Sequence, residues 1–218
     1  MNSKKILVGA MVLGAAFFSS CGNQETKTAS DSHEAHEQSD EIGSKDAKPV
    51  EYTVNASASK VAWEGTMLGL YSHNGLIGLK EGSIEMNGTE LIAGSFVIDM
   101  TSIQTLDDRY GTDEGSRSED LIGHLSSDQF FDIGNHPSAS FTIKSVEGNS
   151  AVGTLKIRGT ENDEKVENIN VSEENGVMII NGEITFDRKK YGAMFDMPVA
   201  DKVLSDDIKM TVSLKTQA

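Results

Sequence analysis

SRSEDLIGHLSSDQFFDIGNHPSASF, residues 116–141, is the stretch in which the hydrophobic period changes from that of a strand to that of a helix. Ser116 and Glu119 have the spacing of a capping box, which satisfies free N–H groups at a helix start. Leu121 and Leu125 follow at helical spacing, and two serines end the pattern. A helix of at most about three turns is stable only when it is docked. We therefore expect it to cap one end of a larger strand structure.

The aromatic pair Phe130-Phe131 follows this helix and precedes the next strand. Neighbouring residues of an extended chain point to opposite sides. We therefore predict that one ring fills the core and that the other packs under the helix. The helix itself is expected between the strand that ends at Met100 and the strand that starts at Pro137.

On the N-terminal side of this segment the sequence alternates with period two. Residues 52–68 contain two strand candidates, which Ser57-Ala58 separates. The triplet at residues 73–75 (His-Asn-Gly) predicts a turn. Residues 83–100 predict a hairpin with a two-residue turn at Asn87-Gly88, in which Ile92, Phe96, Ile98 and Met100 face one way.

On the C-terminal side the alternation resumes after Pro137, with turn signals at Gly148-Asn149, Gly159 and Asn175-Gly176. The acidic residues 161–174 predict at most one edge strand. The total is eight or nine strands, each apolar on one face. The fold class is therefore all-β with one short capping helix. A sandwich and an antiparallel barrel both fit the strand count, and a closed barrel of about eight strands is favoured because it leaves no edges.

One set of apolar side chains faces inward in such a barrel. It comprises Val61, Trp63, Met67, Phe96, Ile98, Met100, Phe141, Ile143, Leu155, Ile157, Ile184, Phe186, Met210 and Val212. A packed core explains this set by itself, but a barrel of about eight strands can also hold one small ligand. Gly94, Gly153 and Gly182 fall in the same register, and they indicate either free space or a bend.

The first twenty residues have the pattern of a targeting signal. Lys4 and Lys5 precede the apolar residues 6–18, which are too short for a comfortable membrane span. Phe18-Ser19-Ser20-Cys21 resembles the cleavage site of a bacterial lipoprotein, in which the cysteine is acylated. This resemblance implies lipidation at Cys21, and Gly22 after it implies delivery to the outer membrane, facing the periplasm. A plain secretory signal with an incidental cysteine is the alternative.

Residues 21–50 are predicted to be the lipidated cysteine followed by a disordered acidic tether, because they contain too few apolar residues to bury. His33 and His36 within the tether have a spacing that could bind Zn²⁺ or Cu²⁺. A solvated linker explains the same residues, and no metal site is assigned. The barrel domain is predicted over residues 51–218.

The composition excludes several function classes. The formal net charge of −15 opposes binding to nucleic acid and to anionic membrane surfaces. The sequence contains no nucleophile elbow, Walker loop or dinucleotide fingerprint, so we predict neither an enzyme nor a cofactor. His73, His124 and His136 are not at metal-ligand spacing and are interpreted as structural residues.

Several ordered segments resemble the YceI-like family of periplasmic, lipocalin-like isoprenoid-binding proteins. They are HLSSDQFFD (residues 124–132) with Pro137, Ala139 and Phe141, VGTLKIRG (residues 152–159), ITFDR (residues 184–188) with Tyr191 and Gly192, and the closing strand at residues 204–214. The resemblance spans residues 51–215. It implies an extended barrel that holds a long amphiphile, such as a polyisoprenoid, an isoprenoid quinone or a fatty-acid derivative.

The function expected from this resemblance is carriage, storage or sensing of that lipid at the cell envelope, with the fourteen inward residues as the cavity lining. A homodimer is one assembly that this protein could form. The negative charge favours a neutral headgroup, unless Arg158 or Arg188 contacts it. A structural ion pair of Arg188 with Asp187 or Asp206 is an equal alternative. The competing function is a structural or interaction lipoprotein with a packed barrel, acting in envelope stress or adhesion.

Overall fold

The computed structural model describes residues 48–68, 71–108, 110–113, 117–195 and 203–218. The predicted signal peptide, Cys21, the His33/His36 pair and nearly all of the tether lie outside these residues. The described part contains nine strands, one α-helix and two short 3-10 helices at Ala56–Ala58 and Arg188–Tyr191. The strands are β1 (Val50–Thr53), β2 (Lys60–Leu68), β3 (Tyr71–Asn87), β4 (Glu90–Thr105), β5 (Ser138–Glu147), β6 (Ser150–Ile157), β7 (Thr160–Glu174), β8 (Val177–Asp187) and β9 (Val203–Lys215), and the helix is α1 (Ser118–Ser126).

Eight of the strands close into an antiparallel ring, which confirms the all-β barrel. Each strand from β2 to β9 pairs with its neighbour in sequence, and β9 pairs with β2 to complete the ring. β1 pairs with the far half of β3, at residues 83–86, while β2 pairs with residues 71–77. β1 and β2 therefore act as one strand interrupted by the 3-10 turn at Ala56–Ala58, where the sequence predicted a break.

The predicted turn at residues 73–75 is wrong, because this segment lies inside β3. Residues 61–67 of β2 pair continuously with residues 71–77 of β3. Gly75 is buried opposite Trp63, and a Cβ at Gly75 would overlap the indole ring. Glycine serves here to admit a large side chain against the strand, which is its other common role in sheets.

β3 and β4 form the predicted hairpin, but its turn is Gly88-Thr89 and not Asn87-Gly88. A β-bulge next to Met86 shifts the register at the start of β4. As a result Leu91, and not Ile92, is buried in the core. Three further predicted turns, at residues 148–149, 158–159 and 175–176, connect the strands from β5 to β8 as expected.

The acidic residues 160–174 form an interior strand and not an edge strand. β7 pairs with β6 on one side and with β8 on the other. Val166, Ile169 and Val171 pack against the core, although they are only partly buried. The high charge of β7 is carried largely by its exposed face, so the strand keeps the alternation of a half-buried sheet.

Helix α1 is present, but its N-terminal cap lies one residue later than predicted. The backbone N–H of Arg117 donates to Oδ2 of Asp120 at 3.0 Å, and the Arg117 guanidinium donates to the same carboxylate. The predicted box of Ser116 with Glu119 is therefore wrong, and Ser116 itself lies outside the described residues. An acidic side chain in the first turn also suits the positive end of the helix dipole. Leu125 is the buried residue of the helix.

Phe130 and Phe131 both lie in the core, with ring centroids 4.7 Å apart and an edge-to-face arrangement. They belong to a turn after α1 and not to an extended segment, so their side chains need not point to opposite sides. The prediction that only one of the two rings fills the core is therefore wrong. The backbone N–H of Phe131 donates to the carbonyl of Leu125, which ties the turn to the last part of the helix. The pair thereby joins the helix to the barrel core.

Within the described ranges, no helix has both the length and the hydropathy that are needed to cross a membrane.

Candidate functional site

Two apolar cavities lie inside the barrel. The larger one, called the cap-end cavity, has a volume of about 220 Å³, and the smaller one, the far cavity, about 100 Å³. The cap-end cavity is lined by Trp63, Gly65, Met67, Tyr71, His73, Ile77, Ile98, Met100, Ile103, Leu121, His124, Leu125, Phe130, Phe131, Ala139, Leu155, Ile157, Phe186, Phe195, Leu204, Ile208 and Met210. The far cavity is lined by Val61, Leu79, Leu91, Phe96, Ile98, Phe141, Ile143, Ala151, Leu155, Val166, Ile169, Ile180, Asn181, Gly182, Ile184, Met210, Val212 and Leu214.

The two cavities follow one another along the barrel axis. On β9 the lining passes from Ile208 in the cap-end cavity to Val212 in the far cavity, and the other strands show the same progression. Ile98, Leu155 and Met210 line both cavities. These three side chains therefore form a partition between the two spaces.

All fourteen residues that the sequence placed on the inward face line one or both cavities. Trp63, Met67, Met100, Ile157 and Phe186 line the cap-end cavity, Val61, Phe96, Phe141, Ile143, Ile184 and Val212 line the far cavity, and Ile98, Leu155 and Met210 line both. Their contact with a lipid stays a prediction.

Most of the cap-end lining that lies outside the barrel strands could not be predicted from the sequence. Leu121, His124 and Leu125 of α1 reach this cavity, together with Phe130 and Phe131. The helical stripe and the aromatic pair were signals of a docked cap. Nothing in their spacing indicated that the cap would leave a space beneath it.

The three glycines that indicated either space or a bend are covered by neighbouring side chains. A Cβ at Gly153 would lie 2.5 Å from the ring of Phe141, and a Cβ at Gly94 would lie 2.9 Å from the ring of Phe96. A Cβ at Gly182 would lie 2.9 Å from Cγ1 of Val166. These glycines therefore make room mainly for protein side chains, while Gly182 also borders the far cavity.

His73 is a polar residue at the cap-end cavity, and a hydrogen bond to the buried side chain of Asp107 orients it. Its Nδ1 lies 2.5 Å from Oδ2 of Asp107, whose side chain is 2% exposed. Oδ1 of Asp107 accepts from the backbone N–H and the amide of Asn74, and the Tyr110 hydroxyl donates to Oδ2. Burial raises the pKa of Asp107, but the hydrogen bonds from His73, Asn74 and Tyr110 outweigh it and hold the pKa below its usual value.

His124 is a second histidine at the cap-end cavity, on α1. Its ring makes edge contacts with Phe195 at 4.2 Å and with Phe130 at 5.7 Å between centroids. Its Nε2 is buried and has no hydrogen-bond partner among the described residues. Burial lowers the pKa of His124, which favours the neutral imidazole.

Arg188 is fully buried beside the cap. Its Nη1 donates to the carbonyl of Ala193 at 2.6 Å, its Nε donates to the carbonyl of Ser205, and its Nη2 lies 3.3 Å from Oδ1 of Asp206. The guanidinium carbon also lies 5.7 Å from the centroid of the Phe130 ring. Arg188 therefore forms the predicted structural ion pair with Asp206. It lines neither cavity.

Arg158 is also engaged with the protein. It occupies the β6–β7 turn with a φ of 51°, and its Nη1 donates to the carbonyls of Phe130 and Gly192. Like Arg188, it lines neither cavity. Arg158 thereby ties the turn that contains Phe130 to the segment that follows Tyr191.

No Lys, Arg, Asp or Glu side chain lines either cavity within the part of the chain that the structure describes. In the same part, no group of three or more His, Cys, Asp or Glu residues is arranged to hold a metal ion. The described lining residues can therefore contact an apolar chain and hydrogen-bond a weakly polar group, but they provide no positive charge for an anionic ligand.

Solved structures with the same fold are distant in sequence. BcnA of Burkholderia cenocepacia is 16% identical, with a TM-score of 0.57, and the match covers 75% of this chain and 99% of that one. A polyisoprenoid binding domain of Saccharophagus degradans, implicated in plant cell wall breakdown, is also 16% identical, with a TM-score of 0.56 and coverage of 77% and 98%. No curated protein matches the chain significantly. The sequence profile of the YceI-like domain matches residues 52–216, and the chain therefore belongs to the YceI-like family.

Proposed function

We propose that the barrel binds one long-chain amphiphilic lipid, a polyisoprenoid or an isoprenoid quinone, inside its two cavities. The observation that carries this proposal is the succession of two apolar spaces along one axis, which share Ile98, Leu155 and Met210 as lining residues. A linear tail suits this geometry better than a compact ligand, because a compact ligand would use only one of the spaces.

The energetics favour a long tail. Burial of each CH₂ is worth roughly 0.8 kcal/mol, while association costs several kcal/mol in lost freedom. A tail of a few isoprene units therefore suffices to give net binding. The Saccharophagus domain, which is described as polyisoprenoid binding, supports this ligand class.

Both cavities are smaller than the roughly 300 Å³ at which ligand pockets usually begin. A tail that spans both of them must displace part of the partition. Met210 is the flexible member of the partition, because an unbranched thioether chain adopts many conformations. Entry of the lipid is thus expected to move Met210.

The lining favours an uncharged headgroup. Among the described residues, no cation lines either cavity, and Arg158 and Arg188 are engaged with carbonyls of the protein. A polyprenyl phosphate would therefore enter without a counter-charge. The function is accordingly non-catalytic carriage, storage or sensing of a neutral lipid.

We further propose that the protein works at the bacterial cell envelope. Acylation of Cys21 would anchor it, with residues 24–48 as the tether, and the outer membrane facing the periplasm is the expected location. The acidic surface disfavours adhesion through protein charge, so an acyl anchor is the means of membrane association that the sequence supports.

A second function is favoured by the way in which side chains cover the inward glycines. Phe141 covers Gly153, and Phe96 covers Gly94, so much of the interior is filled by protein. A fully packed barrel would act as a structural or interaction lipoprotein in envelope stress or adhesion.

Native mass spectrometry of the full chain, released from detergent in the instrument, separates these functions. The lipid-binding proposal predicts a mass increment that matches an isoprenoid lipid, which solvent extraction removes. Its isoprenoid nature is then verified by fragmentation of the extract. Protein that is free of lipid and that gains no thermal stability when isoprenoids are added would instead support the packed barrel.

A further inference from the structure

The two cavities differ in polarity, although both are predominantly apolar. His73, His124 and Tyr71 line the cap-end cavity, whereas among the described residues Asn181 is the one polar side chain at the far cavity. An amphiphile in the barrel has two orientations. Its headgroup lies either among the histidines under the cap or among the aliphatic side chains at the far end.

His124 carries the strongest indication of orientation. A buried polar atom without a hydrogen bond has lost its bonds to water and gained none in return, so native structures nearly always pair such atoms. In the described part of the chain, Nε2 of His124 is the buried side-chain nitrogen or oxygen that lacks a partner. Its ring lines the cap-end cavity, but Nε2 itself is covered by protein atoms, so a bound headgroup would supply the missing bond after a small rotation of the imidazole or of a neighbouring phenyl ring.

His73 differs from His124 because one of its two ring nitrogens already has a partner in the protein. Its Nδ1 is already held by Asp107, and Asp107 is itself satisfied by Asn74 and Tyr110. Nδ1 of His73 is therefore already bonded to the protein, and the His73 side chain is 25% exposed, so its burial does not require a ligand. His124 packs against Phe130 and Phe195, and neither ring offers a hydrogen bond of ordinary strength.

We propose that the lipid binds with its headgroup in the cap-end cavity, hydrogen-bonded to Nε2 of His124, and with its tail extending past Met210 into the far cavity. This inference rests on the proposed lipid-binding function. The headgroup is an uncharged hydroxyl or carbonyl, as in a polyprenol or a quinone. A neutral imidazole nitrogen can accept from a hydroxyl or, as its other tautomer, donate to a carbonyl.

The test compares three ligands that share one tail: geranylgeraniol, geranylgeranyl phosphate and the hydrocarbon of the same skeleton without a headgroup. Affinities for the full chain, held in an amphipathic polymer, are measured by competition with a fluorescent polyene. His124→Phe keeps an aromatic ring and removes the nitrogen, while His124→Gln keeps a polar nitrogen at the same distance from the backbone. His136→Phe is the matched control, since His136 lines neither cavity.

We expect His124→Phe to weaken geranylgeraniol binding about five- to tenfold, which is the worth of one hydrogen bond. Binding of the hydrocarbon should change less than twofold, or tighten. His124→Gln should retain most of the alcohol affinity, and His136→Phe should retain all of it. The wild-type chain should bind the alcohol more tightly than the phosphate.

A second readout locates the headgroup directly. Trp63 is the single tryptophan of the chain, and it lines the cap-end cavity. A short-tailed ubiquinone bound in the proposed orientation should quench its fluorescence strongly, because the quinone ring lies in the same space.

Each failure has its own signature. If the wild-type chain binds the alcohol but His124→Phe weakens the alcohol and the hydrocarbon equally, or neither, the headgroup assignment is overturned while lipid binding stands. Quinone binding without quenching of Trp63 overturns the orientation. If the wild-type chain binds none of the three ligands, the proposed function falls, and the headgroup assignment falls with it.

Discussion

The indole of Trp63 lies directly on the backbone of Gly75. A Cβ built on Gly75 would come within 2.7 Å of the indole ring and within 1.9 Å of the carbonyl oxygen of Gln104. The indole Nε1–H donates to that same carbonyl at 3.2 Å. The glycine thus brings β2, β3 and β4 together around one aromatic side chain at the wall of the cap-end cavity.

Gly75→Ala is therefore expected to destabilise the barrel by about 3 kcal/mol, at the upper end of the usual cost of overpacking. The added methyl group meets backbone as well as the indole, so side-chain rotation alone cannot relieve the overlap. Urea denaturation followed by Trp63 fluorescence measures the change. Gly123→Ala is the matched control: nothing lies within 4 Å of a Cβ there, and alanine should stabilise α1 by about 0.5–1 kcal/mol. Equal effects at the two positions would contradict the packing role of Gly75.

The same glycine shows why the sequence misplaced a turn. His-Asn-Gly has turn residues in turn order, and a glycine does not reveal whether it is needed for its φ or for its missing side chain. The pairing of β2 with β3 shows which role Gly75 has. That pairing joins residues that are separated in the sequence, such as Trp63 and Gly75. By contrast, Arg158-Gly159 and Asn175-Gly176 are turns with positive φ at both residues, for which local sequence is sufficient.

Phe131→Ala is expected to destabilise the protein by about 3–5 kcal/mol, because its ring is 8% exposed and lies in the core. The same denaturation assay measures it. Phe131→Leu, which retains most of the apolar volume, should lose much less. A loss well under about 1 kcal/mol for the alanine variant would mean that the cap contributes little to the fold.

Arg188→Met tests how much the buried guanidinium stabilises the fold through its bonds to the segments that follow β8 and begin β9. Removal of its bonds to Ala193, Ser205 and Asp206 leaves buried carbonyls unpaired, and we expect a loss of about 3–5 kcal/mol. Asp206→Asn is the informative companion variant. Asp206 is 49% exposed, so its loss should cost only about 0–1 kcal/mol. If Asp206→Asn costs as much as Arg188→Met, the ion pair and not the carbonyl contacts dominates.

We expect the free energy of unfolding to decrease at acid pH because of Asp107. Its pKa in the fold lies below its usual value, so it contributes stability above the pKa of the unfolded chain, about 3.9. That contribution is lost as the pH falls through the folded-state pKa. Denaturation midpoints between about pH 7 and pH 3 should therefore fall more steeply for the wild-type chain than for Asp107→Asn. Parallel curves for the two proteins would contradict the linkage. Asp128→Asn, at an exposed position, is the control.

Much of the candidate site could be predicted because period-two alternation marks the inward face of each strand. This placed all fourteen inward residues on cavity walls, from Val61 to Val212. The alternation does not indicate how completely side chains fill the interior, because filling depends on neighbours across the barrel. The sequence alone indicates a structural role for His124, because His73, His124 and His136 are not at metal-ligand spacing. The unpaired Nε2 of His124 is a property of the fold around the helix and not of the spacing of the histidines.

Met210→Phe separates lipid binding from a packed barrel at the partition. The ring would occupy space in both cavities, so the tail of a long lipid could no longer pass from one cavity to the other. Because free volume lies on both sides, we expect a change in stability within about 1 kcal/mol, less than the usual cost of overpacking. Affinity for geranylgeraniol should fall at least tenfold, whereas Met210→Leu, which is similar in volume, should bind normally. A lipid that occupies the cap-end cavity alone would lose only the space that the ring takes there, so its affinity should fall much less than tenfold, and competition assays on the two proteins distinguish these outcomes.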